Sequence, residues 1–438
     1  MESVTGQRLY RRARTRIPGG TQLLSKRPEM FLPEQWPAYY AKAGGAEVWD
    51  LDGNRYLDMS YGGIGACVLG YADQDVDDAV RGAIANGSAC TLNCAEEVEL
   101  ADLLCELHPW AEMVRYVRCG GEAMAAAVRI ARARTKRDKI VFCGYHGWQD
   151  WYLAANLAED DALSGHLLPG LDPAGVPRGL RGTALPFAYN DVDGLRRALA
   201  QAGDDLAAVV MEPQRGAPPA AGFLETVREE TRRRGALLLF DEITAAFRLN
   251  SGGVHLLYGV MPDIAVFAKA LSNGYPMGAV IGTGDAMQAA QETFLSSTHW
   301  TERIGPVAAL ACVTKHRREN VAAHLMRIGE SVQHVWRAAA EETGLRIAVA
   351  GMAPLARFVI EEPEPQVVKT LFVQEMLERG FLASNAFYAM YAHTDAHVAA
   401  YGAAVREVFA VLRSAVDAGD VRERLRGPVA HSGFFRLA

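Results

Sequence analysis

The chain is 438 residues long, half of it hydrophobic and 22% charged, a balance that excludes a mainly disordered chain or a small disulfide-stapled scaffold. A formal charge of -7 supplies no basic field for gripping a phosphate backbone, so nucleic acid is not an expected partner. The seven cysteines are scattered and form no C-x-x-C pair, no apolar run has the length of a membrane span, and the basic N-terminal stretch lacks the apolar core of a signal peptide. No metal centre, no membrane and a reducing cytoplasm are expected.

In chain order, residues punctuated by Gly and Pro lead to about position 46. EVWDLDGNRYLDMS then reads as a hairpin, because Asp52-Gly53 supplies the positive φ angles of a tight primed turn. Residues 74–87 and 95–108 carry apolar positions at helical spacing, with Leu100, Leu103, Leu104 and Leu107 on one side of the second. From 114 to about 283, short apolar runs alternate with helical segments. Strands are expected at 113–117, 139–143, 206–211, 236–240, 264–268 and 278–283, apolar on both faces, as in a parallel sheet covered by helices. Residues 155–182, rich in Gly, Pro and Asp, read as a surface excursion covering a site or an interface. Segments 306–343 and 396–425 read as long helices flanking strand candidates at 346–360. The expected division is an α/β chain in three parts: 1–65 contributing to a small domain, 66–315 forming the large one, and 316–438 completing the small α+β domain.

Three strand candidates each finish on a charged group, at near-equal spacing: LAAVVM leads into Glu212, ALLLF into Asp241 and IAVFA into Lys269. In a parallel sheet such ends share one edge, where open α/β folds bind ligands. A polar cap meeting solvent explains any one of them; three in succession are harder to dismiss. A lysine after so apolar a run is partly desolvated, which lowers its pKa and frees the neutral amine for a Schiff base. A neighbouring aspartate would hold a protonated ring nitrogen, the pairing that pyridoxal phosphate chemistry requires. Gly120-Gly121, between MVRYV and the helical run EAMAAAVRIARAR, offers backbone N–H groups at a helix start for a phosphate. GGIGACVLG at 62–70 has Val68 where a dinucleotide fingerprint needs its third glycine. After KIVFC, Tyr145 is placed to stack on a planar ring, while His146 lacks the partner spacing of a metal or triad histidine and reads as structural or ring-contacting.

Taken together and in order, IPGG at 17, VWDLDGNRYLDM at 48–59, CGGEA, CGYHG, MEP, LLFDEIT and FAKALSNGYPMGAVIG resemble the class III aminotransferases of the fold-type I pyridoxal phosphate enzymes, in their glutamate-1-semialdehyde aminomutase branch. The resemblance implies a large domain on a mostly parallel sheet with a smaller α+β domain, and pyridoxal 5'-phosphate as cofactor. It implies that Lys269 forms the internal aldimine, that Asp241 pairs with the pyridine nitrogen, and that Gly120 and Gly121 hold the phosphate. Tyr145 would stack on the ring and Glu212 would sit near its hydroxyl side. Thr301 would reach the phosphate of a neighbouring subunit, which implies a homodimer with shared sites.

Three departures from the family pattern matter, the first for the cofactor and the other two for the substrate. Cys119 stands where the family usually has a serine, removing a hydroxyl contact to phosphate. Thr21 to Arg27 depart from the aminomutase sequence after Gly19-Gly20. FLASNAFYAMYAHTDAHV lacks the arginine with which many relatives grip a carboxylate. Aromatic segments stand at the expected entrance instead, with Trp36, Tyr40, Trp148 and Trp300 as candidate substrate contacts; core packing is the plainer account of each. As a set they suit a hydroxylated ring, stacked on its face and hydrogen-bonded at its edge. The expected activity is therefore ping-pong transfer of an amine from a small-molecule donor to a carbonyl of a sugar or aminoglycoside-like acceptor, as in antibiotic biosynthesis. The alternatives are a 2,1-aminomutase, an epimerase or dehydratase acting on an amino sugar, and a catalytically dead scaffold.

Overall fold

The computed structural model describes residues 5–159, 161–166 and 169–433. The chain forms two compact units: one of residues up to Asp73 together with those from Ala323 onward, the other spanning Gln74–Ala322.

In the first unit, β1 (Tyr40–Gly44), β2 (Glu47–Asp50) and β3 (Arg55–Met59) form an antiparallel meander. The expected hairpin is β2–β3, but its connection is not a two-residue primed turn. Within the loop only Gly53 takes a positive φ, and the Asp50 carboxylate organises the rest by accepting the N–H groups of Asp52 at 2.9 Å and Asn54 at 2.8 Å.

The larger unit holds a seven-stranded sheet of β4 (Met113–Val117), β5 (Lys139–Cys143), β6 (Ala184–Pro186), β7 (Leu206–Met211), β8 (Leu237–Asp241), β9 (Ile264–Phe267) and β10 (Gly278–Gly282), in the order β4-β10-β9-β8-β7-β5-β6. Every residue of β7, β8, β9 and β10 is buried, as the unbroken apolar runs require. The alanine-rich helix Gly120–Thr135 covers one face; Val192–Ala202 and Phe223–Arg233 cover the other.

Three features depart from the sequence reading. β10 runs antiparallel to both β4 and β9, because the short connection from Ala268 to Met277 leaves no room for a crossover helix. The strand β6 was not expected, since three residues are too few to show a period; its Pro186 is tolerated at the sheet edge. The described part of 155–182 is also more than a surface excursion. Leu163 and Val176 enter the core, and the buried Asn156 accepts from Leu163 N at 3.0 Å while donating to the Leu171 carbonyl at 2.7 Å.

From Ala323 on, a long helix (Val321–Thr343) leads to the sheet of β11 (Ile347–Ala350), β12 (Leu355–Ile360) and β14 (Ala386–Tyr388), while β13 (Phe381–Ala383) pairs in parallel with β3. Helix Asp395–Ala418 closes the unit, its first turn capped by the Thr394 side chain. Among the described residues, no helix is long and apolar enough to cross a membrane, and no group of three or more His, Cys, Asp and Glu side chains could hold a metal ion.

Candidate active site

Strands β5, β7, β8 and β9 are mutually parallel, and β4, paired to β9 through the reversed β10, points the same way. Their C-terminal ends therefore share one edge, and that edge carries Gly120-Gly121, Tyr145, Glu212, Asp241 and Lys269 within a few residues of the last strand positions.

Lys269 follows β9 in a left-handed conformation (φ 43°), which costs a residue with a side chain about 1 kcal/mol or more and is characteristic of functional turns. Its Nζ donates to Thr244 Oγ1 at 2.8 Å. Burial pushes the ammonium down to about 8, against the opposing pull of Glu212 and Asp241, with Arg248 and Arg215 adding to the fall. Near neutral pH a sizeable minority of the lysine is then a free amine, which an exposed lysine is not.

Asp241 ends β8 and is buried. Its Oδ1 accepts the Ile243 N–H at 3.0 Å, and its Oδ2 lies 2.8 Å from His146 Nδ1. The other ring nitrogen of the buried His146 lies 3.1 Å from the Cys143 carbonyl, which only accepts, so Nε2 carries a proton and donates. The histidine read as structural or ring-contacting is thus the direct partner of the site carboxylate, a pairing hidden from the sequence because 95 positions separate the two residues.

Glu212 is buried just past β7. Its Oε2 accepts the Tyr145 N–H at 3.2 Å and lies 3.5 Å from Arg215 Nη1. Burial raises its carboxyl above the usual range, Arg215 opposes that shift and Asp241 adds to it. The turn that brings Tyr145 here needs glycine at 144: φ is 113°, and a Cβ would come within 2.6 Å of Glu212 Oε2. The half-buried Tyr145 ring meets Tyr152 edge-on at 6.1 Å.

At the phosphate candidate, helix Gly120–Thr135 starts with a capping box in which Glu122 accepts from Cys119 N at 3.2 Å and Arg118 N at 3.0 Å. Gly120 and Gly121 occupy the first turn, where backbone N–H groups lack acceptors along the helix. Both positions are tight. A Cβ on Gly120 would stand 2.9 Å from Ile243 Cδ1, and one on Gly121 would strike the Gln149 amide.

The remaining candidates differ in setting. Thr301 is exposed, its hydroxyl donating to the Thr298 carbonyl at 3.3 Å. Arg118, just before the glycines, fixes this segment by donating to the carbonyls of Trp300 and Glu302, each at 2.9 Å. Trp300 packs partly buried against the core, whereas Trp148 is 70% exposed. Trp36 and Tyr40 belong to the other unit. Trp36 is buried in a stack on Phe31 at 4.5 Å, which makes it a packing residue there, and Tyr40 is 65% exposed. Sequence reasoning passed over Thr244, Ile243, Arg215 and Arg248. The signal for two of them was available, since Thr244 and Arg215 each stand three residues beyond a strand-end carboxylate.

A partly buried amine of depressed pKa, two buried carboxylates and a glycine-lined helix start on one sheet edge are the groups that a phosphorylated pyridine aldehyde needs, and they define an α/β, pyridoxal-phosphate-dependent transferase of fold type I. Residues 33–399 match the family described as aminotransferase class-III, and the chain belongs to that family. A 3-aminobutyryl-CoA aminotransferase of Cloacimonas acidaminovorans (strain Evry) is 33% identical over 427 residues, covering 92% of this chain and 96% of that protein. The solved omega-transaminase of Sphaerobacter thermophilus superposes with a TM-score of 0.83 at 26% identity, over 94% of this chain and 98% of the other. The pyridoxal phosphate form of FumI from Sphingopyxis sp. MTA144 gives 0.85 at 24% identity, over 94% and 97%. The protein is an aminotransferase that uses pyridoxal phosphate and exchanges amino groups between small-molecule donors and acceptors.

Proposed function

We propose that this aminotransferase works on an amine carried beyond the α position of an ordinary amino acid, passing it to a carbonyl acceptor in ping-pong fashion, as a cytoplasmic homodimer. The observation that carries the chemistry is the Lys269 amine, held near pKa 8 at the edge shared with Glu212 and Asp241. The substrate class is supported by the names of two relatives, a 3-aminobutyryl-CoA aminotransferase and an omega-transaminase, at 33% and 26% identity.

When bound, pyridoxal phosphate supplies an electron sink conjugated to the amine-bearing carbon. The chain supplies everything else. The first-turn N–H groups of Gly120 and Gly121 would hold its phosphate, with Thr301 of a second copy completing the cup. Asp241, oriented by His146 and the Ile243 N–H, would pair with the ring nitrogen. Tyr145 would pack against the ring, and Glu212 would lie near its hydroxyl. Lys269 Nζ would serve as the base that takes the proton from the donor's amine-bearing carbon, a role that suits an amine with a pKa close to ambient pH.

A second reading, a hydroxylated ring such as a sugar or aminoglycoside as acceptor, is favoured by the exposure of Trp148 at 70%, an aromatic face open to stacking. Single-turnover assays decide between them. Stoichiometric conversion of the bound cofactor to its amine form by 3-aminobutyrate or a terminal diamine supports the first reading. Conversion by amino sugars alone supports the second, and isomerisation of a substrate with no external donor points to an aminomutase.

A further inference from the structure

We propose that Arg215 is the anion anchor of this site and binds the carboxylate of an acidic amino donor. The inference rests on the transaminase reading and names the residue that selects the substrate.

The edge around Lys269 carries the two buried carboxylates Glu212 and Asp241. A donor carrying a carboxylate would enter beside these acidic groups, where a nearby cation offsets repulsion from them. Two arginines act electrostatically on Lys269. Arg248 is 1% exposed and out of a ligand's reach, whereas the Arg215 side chain is 48% exposed. Its guanidinium is placed by the site itself: Nη1 donates to the His166 carbonyl at 2.9 Å and stands 3.5 Å from Glu212 Oε2, and His166 Nδ1 in turn accepts the Gly144 N–H at 3.2 Å. A planar fork of N–H donors matches a carboxylate.

The test uses the holoenzyme and its variants Arg215→Gln, Arg215→Lys and Glu212→Gln. Single-turnover kinetics with β-alanine and with 2-aminobutane give the ratio of kcat/KM for an anionic over an uncharged donor. Arg215→Gln is expected to lower that ratio about tenfold or more, through KM for β-alanine rather than kcat, with partial recovery in Arg215→Lys. Glu212→Gln, which keeps the arginine, is expected to leave the ratio level or raise it. Equal losses with both donors, or a Glu212→Gln ratio that falls like that of Arg215→Gln, would overturn the assignment, because the arginine would then act only through Glu212. Propionate binding, read from the absorbance of the bound cofactor, separates the two layers. If propionate binds and the binding depends on Arg215 while no donor is converted, the transaminase reading fails and the anchor stands. Propionate binding that ignores the substitution sinks the anchor.

Discussion

Replacing His146 tests whether the site carboxylate is held by the histidine or merely lies beside it. In His146→Ala, the buried Asp241 loses its contact at 2.8 Å and keeps only the Ile243 N–H, while the Cys143 carbonyl loses its donor at 3.1 Å. Removing a hydrogen bond to a buried charged group costs about 1.5 to 3 kcal/mol. Because the Ile243 bond persists, the low end applies to Asp241. The Cys143 carbonyl, left with the Glu212 N–H at 3.4 Å, adds about 1 kcal/mol, for an expected loss of about 2 to 3 kcal/mol. His146→Asn places an amide donor near the position of Nδ1, keeps the Asp241 contact and leaves the Cys143 carbonyl with the Glu212 N–H, for about 1 kcal/mol. Urea unfolding of the cofactor-free protein reads the large unit's transition, and titration with pyridoxal phosphate reads the site. The order of stability and of cofactor affinity should be wild type, then Asn, then Ala. If Ala and Asn behave alike, or if both stay within about 1 kcal/mol of wild type, the histidine does not hold the carboxylate and the reasoning fails.

Three further outcomes follow from the same edge. Lys269 attacks only as the neutral amine, so its rate of capturing pyridoxal phosphate should climb with pH and level off above about 8, where an ordinary lysine would still be climbing; stopped-flow absorbance with a climb continuing past pH 10 would refute the depressed pKa. Gly120→Ala should be destabilising by about 1 to 3 kcal/mol through Ile243 Cδ1 at 2.9 Å, and Ile243→Val should relieve part of that in the double variant; strictly additive losses in chemical denaturation would mean the methyl finds room elsewhere. Mixing inactive Lys269→Ala and Thr301→Val proteins should restore about a quarter of wild-type activity if each site takes its threonine from a second copy; no recovery after subunit exchange, verified by mass spectrometry, removes the shared site.

The large sheet was legible because its strands are buried on both faces. Runs such as LAAVVM and ALLLF leave no alternation to confuse with a surface strand, and the expected and observed spans of β4, β5 and β7 coincide. The charged residues ending three of the strands were legible for the same reason, since a charge after such a run stands out. What the sequence hid was direction and long-range pairing. Nothing in GAVIG marks it as reversed, because strand polarity is set by the length of the connection rather than by side-chain pattern. The stack of Trp36 on Phe31 was likewise not visible in the sequence, because a lone aromatic carries no signal for the side it faces. His146 could not be joined to Asp241 by spacing, since the pair is made by β5 and β8 ending on the same edge.

The reversed strand is also what lets the glycine turn and the lysine share that edge. Because β10 runs against its neighbours, it begins where β4 and β9 end, and its first residue, Gly278, pairs with Val117. A Cβ at Gly278 would meet Val117 Cγ2 at 2.9 Å and the carbonyls of Phe267 and Cys119 at 3.3 and 3.5 Å. Gly278 therefore leaves room for the backbone just before Gly120 and the backbone just before Lys269 to flank one strand closely. From Gly120 the packing passes to Ile243, whose N–H donates to Asp241 at 3.0 Å, and from Asp241 to His146. The groups proposed to hold a phosphate and a ring nitrogen are thus joined by direct contacts, so a displacement at one is felt at the other. A site assembled this way has little freedom to adapt at its cofactor end. Variation in substrate must then come from residues at its margin, and Arg215, half exposed on the turn after β7, is placed to provide it.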